Sequence, residues 1–129
     1  MASIFTRIIN GEIPCHKIFE DQEYLAILEI KPINPGHTIV VLKKEIDYFF
    51  NVDDRALGGM MVFSKKVAHA IQKEFDCKRI GVMVAGLEVP HAHVHLVPIV
   101  KVTDLNFDHA QMADNSELAK VAERIRRHL

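Results

Sequence analysis

The run His91-Ala92-His93-Val94-His95-Leu96-Val97 alternates imidazole and apolar side chains with a period of two. That is the period of an extended strand, in which successive side chains point to opposite faces; a helix would scatter the three rings around its circumference. The segment therefore reads as a strand. Its imidazoles line one face, and Ala92, Val94 and Leu96 pack into a core behind them. Pro90 biases Val89 toward an extended conformation and feeds the chain into this strand. Gly86, just upstream, allows a tight turn or a close backbone approach to a ligand.

The rest of the chain supplies the elements around that strand. Ser3 caps a short helix whose Ile4, Phe5 and Ile8 face inward. Asn10-Gly11 ends it, and Pro14 forbids its continuation. Residues 17–20 and 24–30 read as strands joined by the polar turn at 20–23, and 32–36 (Pro-Ile-Asn-Pro-Gly) as a loop. The β-branched stretch from His37 to Leu42 is a buried strand. After Asp53 as N-cap, Leu57, Met60, Met61, Ser64, Val67, Ala68, Ile71 and Phe75 recur at helical spacing, which predicts one long helix over 54–75 with the Met pair as core filler. Gly58-Gly59 costs about 1 kcal/mol per Gly relative to Ala and so marks a weak start or a close contact. Residues 79–85 read as a strand, with a turn at 86–88, and Pro98 falls at the end of the imidazole strand. Lys101 to Asp114 reads as loop. Ser116 then caps a final helix whose buried face is Leu118, Val121, Ala122, Ile125 and Leu129. Five strands, mostly joined by tight turns, with one long helix and terminal helices predict an α+β domain around an antiparallel sheet.

The chain has 129 residues, a length for one domain spanning 1–129. Sixteen Lys and Arg against 17 Asp and Glu give a net charge of −1, so no basic field favours nucleic acid or an anionic membrane. The apolar runs are too short to span a bilayer, and the first residues lack the pattern of a secretory signal. Cys15 and Cys77 form no Cys-x-x-Cys motif and read as reduced thiols of a cytoplasmic protein.

Three imidazoles on one rigid face can hold a divalent transition metal, with Glu88 and His37 as nearby candidates for further ligands. They can equally bind anionic oxygens and supply a nucleophile, since a neutral imidazole both attacks and carries protons. The residues alone leave both open.

Residues 91–97 resemble the signature of the histidine-triad (HIT) family, His-φ-His-φ-His-φ-φ with φ apolar. Outward from it, 3–14 resembles the family's opening helix and turn, and 27–30 with 35–41 its second and third strands. Ala85-Gly86 with Val89-Pro90 resembles the run-in to the triad. The resemblance covers roughly residues 3–100, with 101–129 as a C-terminal loop and helix, and is nearest the histidine-triad nucleotide-binding branch. It implies a HIT fold, a homodimer pairing the long helix and the 79–85 strand across a two-fold, and no cofactor or metal for the reaction. It implies a purine nucleotide substrate of the AMP or GMP type, cleaved at a P–N or P–O bond to the α-phosphorus. His93 would attack phosphorus to form a nucleotidyl-histidine, His95 would contact phosphate oxygens, and His91 and His37 would orient the cluster. Glu29 would bind the ribose and Phe5, Ile8 and Ile30 the base; Glu88 would lie by the phosphate or leaving group, and Gly86 and Val89 would also contact substrate.

The chain departs from the family pattern at several points. Leu87 stands where Gln is frequent, Glu88 where Ser or Thr is common, and Glu29 where Asp is usual. Ile99 replaces an Arg after the Pro. Of the four residues that bind structural zinc in some bacterial members, three are replaced here, by Ser3, Thr6 and Glu45, leaving only His91. Leu87 and Glu88 keep nucleotide binding with little turnover in view as an alternative; dinucleoside polyphosphate hydrolysis is a second alternative, which these two residues disfavour.

Overall fold

A computed structural model describes residues 2–129; residue 1, with which the expected domain begins, lies outside the described residues. The order is α1 (Ile4–Ile9), β1 (Lys17–Glu20), β2 (Tyr24–Leu28), β3 (Thr38–Leu42), α2 (Asp54–Glu74), β4 (Arg79–Met83), β5 (His93–Ile99) and α3 (Asn115–Arg126). The five strands form one antiparallel sheet in the order β1-β2-β3-β5-β4, giving an α+β fold.

Strand alternation divides the sheet into two chemically different faces. Tyr24, Ala26, Leu28, Val40, Leu42, Ala92, Val94 and Leu96 point to one side, where α2 and α3 cover them. Leu25, Ile27, Ile39 and Val41 point to the other, where Phe5 of α1 packs on them. On that second face the register sets His95 beside Ile39 and His93 beside Val41. β2 and β3 are buried throughout because both of their faces are covered.

The local cues place most boundaries within two residues. Ser3 caps α1, its side chain accepting from the Thr6 N–H. Asp53 precedes α2 in an extended conformation but makes no side-chain cap. Gly59 is the close contact that the Gly pair suggested: a Cβ there would collide with the Tyr24 hydroxyl, which donates to the Ala56 carbonyl at 2.7 Å.

Several expectations are corrected. Ile4 is exposed rather than inward, and Met61 is 40% exposed while Met60 is buried, since only one residue of the adjacent pair can face the sheet. Ala56, Phe63 and Ala70 join the buried stripe. β2 stops at Leu28, β3 starts at Thr38, β4 stops at Met83, and β5 runs His93–Ile99, so His91 and Ala92 lie in its lead-in. Pro98 is inside β5. Asn34 Nδ2 donates to the Pro98 carbonyl at 2.8 Å, so its backbone polar side faces past the end of β3, where the missing N–H breaks no ladder bond. Asp114, not Ser116, precedes α3; Ser116 sits in the first turn and its hydroxyl donates to Asp114. The segment from 101 to 114 contains two short 3-10 turns, Val102–Asp104 and Phe107–His109.

Candidate active site

A cavity of about 350 Å³ on the α1 side of the sheet brings together most of the candidate site residues. α1 supplies Phe5 and Ile8, the segment after β2 supplies Glu29 and Ile30, the turn before β5 supplies Gly86, Glu88 and Val89, and β5 supplies His93 and His95. Gly86 has φ +73°, the left-handed conformation that a tight turn beside a ligand requires. His91 and His37 do not line the cavity; they lie fully buried behind it.

The hydrogen-bond network assigns one tautomer to each of the four rings. The His37 Nδ1 accepts the Ile33 N–H at 3.0 Å, so its proton is on Nε2, which donates to His95 Nδ1 at 2.9 Å. His95 is therefore an Nε2–H donor. His91 Nε2 donates to the Leu42 carbonyl at 2.5 Å, and its Nδ1 accepts from the Ser3 hydroxyl at 2.6 Å. His93 Nδ1 donates to the His91 carbonyl at 2.6 Å, which leaves its Nε2 as the nitrogen with a free lone pair. Among the described residues no buried side-chain polar atom lacks a partner, so the two unbonded Nε2 atoms are both open to the cavity. One wall of the cavity thus carries a nucleophilic nitrogen beside a hydrogen-bond donor, with ring centroids 5.0 Å apart.

Burial favours the neutral form of His37, His93 and His95. It pushes His37 down to about 4 and His95, which also faces His37 and His93, down to about 3. It lowers His93 as well, against a partial upward pull from the His91 carbonyl. Glu29 moves the other way: burial raises its carboxyl, the Lys31 N–H opposes this, and nearby Glu88 adds to it. Glu29, His37 and His95 also offer ligand atoms within 4.8 Å of one another, the arrangement that comes nearest to a metal site among the described residues. There the two rings already share a proton, which a metal would have to displace.

Sequence reading missed part of the wall. Ile13, Pro14 and Cys15 follow α1 into the cavity, and Phe107 reaches it from the C-terminal segment, edge-on to His95 at 5.0 Å. The stretch around Phe107 has no periodicity, so nothing local marks it. It is held by backbone bonds from Gln111 to Pro32 and from Ala113 to Ile30. Ser3, Thr6 and Glu45 meet at His91: Thr6 donates to Glu45 at 2.6 Å, as does the Ser3 N–H at 2.8 Å.

A family model described as the HIT domain matches residues 10–102. An uncharacterised HIT-like protein of Methanocaldococcus jannaschii is 42% identical over 99 residues, covering 74% of this chain and 77% of that one. The adenosine 5'-monophosphoramidase of Schizosaccharomyces pombe is 32% identical over 99 residues, covering 76% and 74%. A crystal structure of a Hit-like protein from Bartonella henselae superposes with a TM-score of 0.87 at 30% identity, covering 98% of this chain and 96% of that one.

Proposed function

This chain belongs to the HIT family, and from that premise we propose that it is a hydrolase that splits a nucleoside phosphoramidate, or a related nucleotide, at the α-phosphorus. The observation that carries the reading is the tautomer set, which leaves His93 Nε2 unprotonated and facing the cavity beside the Nε2–H of His95. The His93 lone pair attacks phosphorus, and the bond to the leaving group breaks with its electron pair going to the departing nitrogen or oxygen, which takes a proton from water and leaves as the free amine or alcohol. His95 donates to a phosphate oxygen as negative charge grows there, with His37 fixing that donor from behind. Water then cleaves the N–P bond of the nucleotidyl-histidine. Phe5, Ile8 and Ile30 offer an apolar slot for a purine base, and Glu29 accepts from the ribose hydroxyls.

The same reading covers assembly and location. A homodimer through α2 and β4 is supported by an outermost strand, β4, on which Val82 is 49% exposed, and by exposed Met61 and Val62 on α2. Free Cys15 and Cys77 support a reducing compartment such as the cytoplasm.

The test is turnover of an adenosine phosphoramidate with rapid-quench capture of the protein. The native chain is expected to carry one nucleotidyl adduct, on His93. His93→Ala should lose the adduct and on the order of 10⁶ in rate, while nucleotide binding stays within about tenfold, or roughly 1.4 kcal/mol. A His93→Ala variant with most of its turnover would end this reading. A native chain that binds AMP but turns nothing over would favour a binding protein instead, the alternative that exposed Leu87 and Glu88 support.

A further inference from the structure

Four residues from three separate stretches of the sequence form one hydrogen-bonded chain behind the cavity. Glu45, in the loop between β3 and α2, takes both the Ser3 N–H at 2.8 Å and the Thr6 hydroxyl at 2.6 Å on the same carboxylate oxygen. Those bonds, that from Thr6 first, hold its carboxyl well below the usual range, at about 2, so it is a permanent acceptor. Because Thr6 spends its only hydroxyl proton on Glu45, it cannot donate to His91 Nδ1, 3.4 Å away. Ser3 fills that place. Its oxygen accepts the Thr6 N–H at 3.1 Å and its proton goes to His91 Nδ1 at 2.6 Å. The far side of the His91 ring meets the Leu42 carbonyl, which can only accept. The direction of every proton in the chain then follows from Glu45 outward.

We propose that Ser3, Thr6 and Glu45 are positioning residues: they clasp the start of α1 to His91, and so hold in one piece the cavity wall that α1 supplies and the His91 carbonyl on which His93 rests. The two parts are physically joined. Phe5, two residues after Ser3, lies edge-on to both His91 and His93, with centroids 5.8 and 4.9 Å away. The Ala92 N–H donates to the Ile46 carbonyl at 2.7 Å, so the loop that carries Glu45 also holds the lead-in to β5. Opening the clasp releases α1 and lets the His93 ring lose its Nδ1–H preference, which takes the lone pair off Nε2 in part of the population. This proposal rests on the reading of His93 as nucleophile.

The experiment is long-range ¹H–¹⁵N correlation of the histidine rings in the full chain, together with kcat and KM for an adenosine phosphoramidate, in Ser3→Ala, Ser3→Thr and Glu45→Ala. The native His93 is expected as the pure Nδ1–H tautomer. Ser3→Ala should show a mixture at His93 and none at His95, which His37 fixes independently, with kcat about tenfold lower and KM several-fold higher. Ser3→Thr, which keeps the hydroxyl, should restore both. Glu45→Ala removes a partly exposed side chain and should fold even where Ser3→Ala does not; it should move the same quantities the same way by less. Native His93 ring shifts in either folded Ala variant, or a kcat loss that Ser3→Thr does not reverse, would overturn the clasp. If the native chain has no turnover, the hydrolase reading fails, and the ring tautomers still decide this one.

Discussion

The His37 Nε2 lies 2.9 Å from the His95 Nδ1, and a single proton joins the two rings. His37 in turn takes its orientation from a backbone N–H, that of Ile33. A main-chain group after β2 therefore decides which nitrogen of His95 presents a proton to the cavity.

Removing that link has two separable effects. His37→Ala should lower unfolding free energy by about 2–4 kcal/mol, from the cavity left behind and the unpaired Ile33 N–H. It should also lower kcat by about ten- to a hundredfold, because His95 loses its fixed donor. His37→Gln, which retains a side-chain donor, should recover part of both. Urea titration and steady-state kinetics on the two variants check this; an undiminished kcat in folded His37→Ala would remove His37 from the machinery.

Acid should weaken both fold and activity. His37, His95 and His93 are all held below the ordinary imidazole value of about 6.5 by burial. Below that pH the unfolded chain takes up protons that the folded chain refuses. Stability is thus full above about 6.5, falls as the pH drops, and levels off only near the folded values of about 4 and 3. Glu45 adds to the loss further down, between the unfolded value of about 4.3 and its folded value of about 2. Because His93 stays unprotonated below the ordinary value, kcat/KM should hold its plateau to more acid pH than a free imidazole would allow. Chemical denaturation at several pH values reads the first effect and a pH–rate profile the second. Stability that rises on acidification contradicts the account.

Chelation should have no effect. Hydroxyls of Ser3 and Thr6 and the carboxylate of Glu45 satisfy one another and His91 by hydrogen bonds. EDTA should change neither melting temperature nor turnover. Stoichiometric zinc in the purified protein, with loss of fold on chelation, would contradict this.

The leaving group should be small and weakly charged. Glu88 is exposed at the cavity mouth, and its charge is felt at Glu29, where it adds to the rise that burial causes. Repulsion grows with the charge placed near these carboxylates. An adenosine phosphoramidate should therefore be cleaved with higher kcat/KM than diadenosine tetraphosphate, and Glu88→Ser should narrow the gap. Both substrates are measured on one preparation. A native preference for the tetraphosphate refutes the electrostatic argument; an unchanged ratio in Glu88→Ser shifts the cause to Leu87 or Phe107.

The alternation of residues 91–97 determined, without any partner, that His93 and His95 share a face, because strand geometry is a property of the local chain; His91, in the lead-in to β5, lies buried behind the cavity instead. Ser3 as a cap and the long helical stripe were legible for the same reason, whereas Gly58-Gly59 left a weak start or a close contact open, which only the Tyr24 hydroxyl against Gly59 decides. Only the tertiary structure decided what each ring does. The groups that assign the tautomers are the Ile33 N–H, the Leu42 and His91 carbonyls and the Ser3 hydroxyl, and three of these four lie outside the triad. Phe107 enters the cavity on a segment with no periodicity, and Glu45 reaches α1 across 42 and 39 residues of chain. A residue type specifies how many hydrogen bonds a side chain can make, but not with what; partners distant in sequence are brought together only when the sheet and its two faces close around them.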